Sequence, residues 1–201
     1  IQSFPVTTWR DELSLAQQAG LDRIEWIYEV GTEADNPLRT DDGLAEIRRL
    51  VAETGVEVKS VCADYYMGER LVGQDGRPRE SAVRHLIWLL GRVALLEVEH
   101  VVLPFVDASS LQTAEEIDGL VDVLATVASI AEGAGVELHL ETDLEAPDLE
   151  AILRHRVESS IVRVNFDIGN EASAGHDPEE DLKILGPWLG SVHIKDRVLG
   201  G

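Results

Sequence analysis

The stretch VELHLETD, residues 136–143, decides the fold of this chain. Its residues alternate in polarity: the apolar set is Val136, Leu138 and Leu140, and the polar set is Glu137, His139 and Glu141. Successive side chains of a strand point to opposite faces, so this strand has one wholly polar face. Strands of a parallel sheet that helices cover on both sides are apolar throughout. The alternation therefore favours a barrel whose lumen holds a polar site, and an open sheet with one solvated face is the alternative.

Two later stretches repeat this pattern and end in residues that bind metals. The stretch IVRVNFDIGN, residues 161–170, carries Asp167, and SVHIKDR, residues 191–197, carries His193. The interval from Glu141 to Asp167 is 26 residues, and the interval from Asp167 to His193 is also 26 residues. One strand, one helix and two loops fit in that distance. A βα repeat would therefore bring two carboxylates and an imidazole to the same end of one parallel sheet.

Three earlier stretches also have the composition of strands, at residues 22–30, 56–64 and 98–105. Apolar residues recur at helical spacing between the strands, as Leu44, Ile47 and Val51 do. Such alternation predicts a parallel sheet with right-handed crossovers. We therefore predict one α/β domain over residues 1–201, a (β/α)8 TIM barrel that lacks its first strand and its eighth βα unit. Residues 65–78 show no periodicity and are expected to form a long loop.

Composition excludes several classes of protein. With 201 residues and 44% hydrophobic content, the chain is long enough for one substantial core. No apolar run approaches the ~18 residues of a membrane span. The single cysteine, Cys62, excludes a disulfide framework, fits a cytoplasmic location, and is expected to be a small buried residue. The net charge of −21 disfavours nucleic acids and anionic membranes as partners, because such a surface repels phosphate groups.

The motifs HLETDL (139–144), NFDIGN (165–170) and VHIKDR (192–197) are joined by IEW at 24–26 and SVCAD at 60–64. Together they resemble the xylose isomerase-like barrel superfamily, specifically its sugar and sugar-phosphate isomerases and epimerases. The resemblance implies a divalent metal held by Glu141, Asp167, His193 and a final glutamate. That fourth ligand is expected beyond Gly201, so the printed chain by itself could be inactive. Carboxylates with one imidazole suit Mn²⁺, Mg²⁺ or Co²⁺, with Zn²⁺ as a further candidate.

The resemblance also implies a reaction. Glu141 and the final glutamate would be the acid/base pair that moves a proton at the carbon beside a carbonyl, and the metal would stabilise the enediolate. The nearest expectation is a ketopentose phosphate 3-epimerase. An inosose dehydratase-like lyase, an enzyme of unphosphorylated ketoses or hydroxypyruvate, and a non-catalytic sugar-binding or scaffold barrel are the alternatives. An apurinic endonuclease is disfavoured by the charge and by the shortage of histidines near strand ends.

Further residues are candidates for substrate contact. Lys195 and Arg197 lie where barrels often hold phosphate, although they could equally be surface charges. Asn170 stands where several members of the resembled family have a histidine that contacts substrate. His139 would support the metal ligands or be a hydrogen-bonded lumen histidine. Glu25 is expected to point into the barrel, either toward substrate or in a salt bridge with Arg163 or Lys59.

The remaining histidines are assigned no role; they are His85, His100, His155 and His176.

The expected partner is a small sugar or sugar phosphate. Without two of their neighbours, the strands at 22–30 and 191–197 would be open edges, which recruit further strands. We therefore expect self-association into a homo-oligomer.

Overall fold

The computed structural model describes residues 3–196. Its six strands are β1 (Arg23–Ile27), β2 (Glu57–Cys62), β3 (His100–Phe105), β4 (Glu137–Thr142), β5 (Val162–Asp167) and β6 (Leu189–His193). All neighbouring pairs are parallel, and their order in the sheet is the order along the chain. This arrangement confirms the predicted α/β class and the six strands of a TIM barrel.

Eight α-helices accompany the strands in the described residues. They are α1 (Trp9–Gln18), α2 (Asp41–Thr54), α3 (Tyr65–Gly68), α4 (Glu80–Ala94), α5 (Ala114–Ala134), α6 (Ala146–His155), α7 (Ile168–Ala174) and α8 (Pro178–Leu185). Helix α5 begins with a capping box, in which Thr113 and Glu116 satisfy each other's backbone amides. None of the helices in residues 3–196 has the length and apolarity needed to cross a membrane.

The core lies between the outer face of the sheet and the helices. Leu138 and Leu140 of β4 are fully buried there, as are Leu86 and Leu90 of α4 and Val127 of α5. The opposite face of the sheet is polar, and it curls on itself so that Glu25 of β1 lies 3.0 Å from His193 of β6. The open sheet with a solvated polar face is therefore wrong. Within residues 3–196, β1 and β6 do not pair with each other, so the predicted self-association through these edges stays a prediction.

Two local expectations are corrected. The loop predicted at residues 65–78 contains the short helix α3, which buries Tyr66 against the core. The stretch IVRVNFDIGN is a strand only as far as Asp167, because the Asp167 side chain accepts a hydrogen bond from Asn170 N and thereby caps α7.

Candidate metal centre

Three parallel strands end side by side and bring their last polar residues together. Glu141 is the penultimate residue of β4, Asp167 is the last of β5, and His193 is the last of β6. Asp167 and His193 are register partners in the sheet. One ligand atom from each of the three residues lies within 4.8 Å of the other two, and His193 Nδ1 is 3.2 Å from Glu141 Oε2. This is the convergence that the equal spacing predicts.

Two asparagines hold the Glu141 carboxylate in place. Asn165 Nδ2 donates to Glu141 Oε2 at 3.0 Å, and Asn170 Nδ2 donates to Oε1 at 2.8 Å. Asn165 Nδ2 also lies 3.0 Å from His193 Nδ1. Asn165 was not singled out from the sequence, although it shares the polar face of β5 with Asp167. Each Glu141 oxygen thus has an amide donor, which fixes the carboxylate toward the other two ligands.

The carboxylate of Asp167 is buried, with its side chain 1% exposed. Its Oδ1 accepts from Asn170 N at 2.9 Å. Its Oδ2 has no hydrogen-bond donor among the described residues, and its nearest cation is Lys195 Nζ at 2.6 Å, without the alignment of a hydrogen bond. Lys195 reaches this position across Gly169, where a Cβ atom would lie 2.4 Å from Lys195 Cγ. His193 Nδ1 lies 3.9 Å from the same oxygen. A buried carboxylate oxygen that has nearby cationic groups but no hydrogen-bond donor is suited to a divalent cation.

The electrostatics of His193 show how strongly this cluster attracts positive charge. Burial would lower the pKa of His193, but hydrogen bonds with Glu141 and Glu25 and the charges of both carboxylates raise it to about 10. Burial likewise opposes the charge on Glu25, yet the bond and charge of His193 lower the pKa of Glu25 below its usual value. The structure therefore fits the predicted ligand set of Glu141, Asp167 and His193, since its carboxylates draw a cation among them.

A chain of hydrogen bonds runs beneath the three ligands. His139 is buried, with Nε2 2.9 Å from Glu137 Oε2 and Nδ1 2.8 Å from Ser191 Oγ. Ser191 Oγ donates to Asn165 Oδ1 at 2.7 Å, and Asn165 contacts Glu141. Burial lowers the pKa of His139, and its ring stacks on His100 with centroids 4.0 Å apart. His139 is therefore a hydrogen-bonded lumen histidine that is linked to Glu141 through Ser191 and Asn165.

A cavity of about 550 Å³ opens above the ligands. Its ionisable lining residues are Glu25, Asp64, Asp107, Glu141, Asp167, His193 and Lys195. Asp64 and Asp107 were not predicted from the sequence, although both follow the carboxyl ends of strands, where TIM-barrel sites lie. Burial raises the pKa of Asp64, which accepts from Cys62 Sγ at 3.2 Å. Cys62 is buried as expected and also lines the cavity.

The other candidate residues have mixed outcomes. The predicted salt bridge of Glu25 with Arg163 or Lys59 is wrong, because curling of the sheet places Glu25 against His193 instead. Arg163 donates to the Leu189 carbonyl at 2.7 Å, and Lys59 Nζ lies 3.6 Å from Glu57 Oε1. Asn170 lines the cavity, and Arg197 lies outside the described residues.

The model of the xylose isomerase-like TIM barrel family matches residues 13–200. Among solved structures, a xylose isomerase domain protein from Planctomyces limnophilus has 17% identity and a TM-score of 0.72 over 90% of this chain and 67% of that chain. D-psicose 3-epimerase from Clostridium cellulolyticum H10, crystallised with D-tagatose, has 18% identity and a TM-score of 0.73 over 92% of this chain and 66% of that chain. A xylose isomerase-like TIM barrel protein from Mycobacterium smegmatis, in complex with magnesium, has 16% identity and a TM-score of 0.69 over 97% of this chain and 68% of that chain.

The chain therefore spans about two thirds of the length of these three proteins. At such identities the structural likeness shows the fold alone, and no curated protein matches the sequence. The family model, in contrast, matches nearly the whole chain and includes all three candidate ligands. This chain belongs to the xylose isomerase-like TIM barrel family.

Proposed function

We propose that this protein is a metal-dependent ketose epimerase or isomerase that acts by proton transfer beside the sugar carbonyl. The observation that carries the proposal is the convergence of Glu141, Asp167 and His193 at the floor of the 550 Å³ cavity. A cavity of that volume accommodates a monosaccharide. The epimerase and the magnesium complex among the similar structures support the same reaction class and the same type of cofactor.

Glu141 is the proposed proton carrier. Its carboxylate lines the cavity, and its two oxygens are oriented by Asn165 and Asn170. Glu141 would take the proton from the carbon next to the carbonyl; the C–H electron pair then moves toward the carbonyl oxygen, which leaves an enediolate. Return of the proton by Glu141 to the neighbouring carbon would complete an isomerisation. An epimerisation would need a second acid that protonates the other face of the same carbon, the role that the resemblance gives to the final glutamate. A bound divalent cation would supply charge stabilisation at the sugar oxygens.

The metal would be held by Glu141, Asp167 and His193. Two carboxylates and one imidazole suit Mn²⁺, Mg²⁺ and Co²⁺, and Zn²⁺ also accepts such ligands. Glu25 Oε1 lies 3.0 Å from His193 Nε2 and would orient the imidazole by accepting a hydrogen bond from its N–H group. In this role Glu25 acts through His193 rather than on the substrate.

The cavity favours an unphosphorylated sugar. Five of its lining residues are carboxylic acids: Glu25, Asp64, Asp107, Glu141 and Asp167. Lys195, which the sequence suggested for phosphate, is the one lysine or arginine among the described lining residues, and its ammonium group lies 2.6 Å from the Asp167 carboxylate. Carboxylates repel a phosphate dianion but accept hydrogen bonds from sugar hydroxyl groups. We therefore propose a neutral ketose as substrate, with Asp64 and Asp107 as hydroxyl-binding residues.

The proposal is tested by hydrogen exchange. The protein is incubated with Mn²⁺ and a panel of ketoses and ketose phosphates in deuterated water, and deuterium is located by NMR. We expect deuterium at the carbon beside the carbonyl of a neutral ketose, and loss of that signal in Glu141→Gln. Glu158→Gln, at an exposed glutamate outside the cavity, is the matched control. Turnover without exchange would contradict proton transfer, and loss of water from the substrate would indicate a lyase.

A further inference from the structure

A second cluster of metal-binding side chains lies outside the cavity, where α7 turns into α8. Glu171 belongs to α7, His176 to the turn, and Asp181 to α8. One ligand atom from each residue lies within 4.8 Å of the other two. His176 Nδ1 is 2.6 Å from Glu171 Oε2 and 4.0 Å from Asp181 Oδ2. In the absence of a metal His176 Nδ1 and Glu171 Oε2 are at hydrogen-bond distance, and all three residues are close enough for one cation to contact them after small side-chain shifts.

An unsatisfied buried oxygen points into this cluster. Asp181 is 9% exposed, and its Oδ2 atom has no hydrogen-bond donor among the described residues. A buried carboxylate oxygen without a donor is costly, because its hydration is lost and nothing replaces it. The atoms nearest to it in the cluster belong to a second carboxylate and an imidazole, which are metal ligands themselves. A cation in the cluster would bind the Oδ2 atom of Asp181 and relieve the repulsion between the Glu171 and Asp181 carboxylates.

We propose that Glu171, His176 and Asp181 form a second cation site, which takes a divalent transition metal of the Zn²⁺ or Co²⁺ type. Its donors, two carboxylates and one imidazole, are of the same types as those of the first centre, and Zn²⁺ and Co²⁺ accept both types. The other ring nitrogen, His176 Nε2, lies 3.2 Å from Glu145 Oε1. That contact fixes the ring and directs Nδ1 toward the metal, as carboxylates behind metal-binding histidines do.

The site would connect two helices that flank the candidate metal centre. Helix α7 is capped by Asp167 and carries Asn170, which orients Glu141. A metal that joins Glu171 of α7 to Asp181 of α8 would hold α7 against α8 at the residue next to Asn170. The inference does not depend on the proposed reaction, since its ligands are different residues.

The alternative is a metal-free ion cluster, in which a protonated His176 is held between carboxylates. Zn²⁺ titrations by calorimetry distinguish the two cases, with unfolding followed by circular dichroism as a second readout. We expect two Zn²⁺ per wild-type chain, and one in His193→Ala, which lacks a ligand of the first centre. In the His193→Ala background, Asp181→Asn should weaken Zn²⁺ binding at the remaining site by at least about 100-fold. Mutation of a residue that only supports a ligand typically lowers metal affinity ~10–100-fold, so the loss of a ligand should lower it at least as much.

Three variants keep this test decisive. Glu179→Gln changes an exposed acid on the same helix and should leave Zn²⁺ binding unchanged. Asp181→Asn preserves the shape of the side chain, and its unfolding curve without metal shows whether the fold is intact. His176→Gln removes a different ligand of the same proposed site. The proposal is overturned if calorimetry shows no Zn²⁺ binding to His193→Ala and added Zn²⁺ does not raise its unfolding temperature. It is equally overturned if Asp181→Asn and His176→Gln bind Zn²⁺ as tightly as their parent.

Discussion

Replacement of Lys195 by methionine should tighten divalent metal binding at the Glu141–Asp167–His193 centre. Lys195 Nζ lies 2.6 Å from Asp167 Oδ2, so the ammonium group and the metal compete for the same carboxylate oxygen. Methionine keeps the aliphatic stem that passes over Gly169 but removes the charge. The metal-free variant then has a buried carboxylate without a counter-charge, and metal binding restores one.

The magnitude follows from the burial of the pair. Removal of one partner from a fully buried ion pair costs about 3–5 kcal/mol. The Lys195 side chain is 26% exposed, so solvent screens part of that energy and about 1–3 kcal/mol remains. If the metal displaces the ammonium group, the wild-type protein loses the Lys195–Asp167 ion pair when it binds metal. The variant has no such pair to lose, so its metal binding is more favourable by the energy of that pair. The metal-free variant should therefore be less stable by about 1–3 kcal/mol, and its metal affinity should rise about 5- to 150-fold.

The assay combines two measurements on the purified protein. Urea unfolding without metal gives the loss of stability, and Mn²⁺ titration by calorimetry gives the gain in affinity. Lys183→Met is the matched control, because Lys183 pairs only with exposed acids of α8 in the described residues and should change neither quantity appreciably. Mn²⁺ binding by Lys195→Met that is unchanged or weaker would refute the competition between Lys195 and the metal.

Three further predictions concern residues around the centre. Asn165→Leu should weaken Mn²⁺ binding by about 10- to 100-fold, measured by calorimetry, because Glu141 loses an orienting donor. His100, whose pKa is lowered to about 4 chiefly by burial, stays neutral in the folded protein while the unfolded chain takes up a proton below pH 6.5. Stability should therefore fall as the pH drops from 6.5 to about 4, and His100→Asn should make urea unfolding less pH-dependent in that window. Gly169→Ala should cost about 1–3 kcal/mol of stability in urea unfolding, because its Cβ would lie 2.4 Å from Lys195 Cγ; wild-type stability would contradict the close approach.

The sequence was sufficient to predict the strands and the convergence of the metal ligands. Strand polarity alternates with a period of two, and parallel strands end at one edge, so Glu141, Asp167 and His193 could be placed together without coordinates. Their burial and separation agree with that prediction. The binding of metal by these residues stays a prediction.

Contacts across the lumen could not be predicted, because they depend on how strongly the sheet curls. That curvature sets Glu25 opposite His193 rather than Arg163, although the two residues are 168 positions apart. The role of Lys195 was also inaccessible, since its reach to Asp167 requires the close passage over Gly169. The cluster of Glu171, His176 and Asp181 was missed because a turn between two short helices, rather than a strand end, brings it together.

The most direct test of the account is a crystal structure of the protein soaked in Mn²⁺, with anomalous diffraction used to locate the metal. We predict an anomalous peak bounded by Glu141, Asp167 and His193, with the Lys195 ammonium group moved away from Asp167. A structure in which Mn²⁺ occupies other positions while Lys195 still contacts Asp167 would contradict the assignment of the metal centre, and with it the proposed reaction.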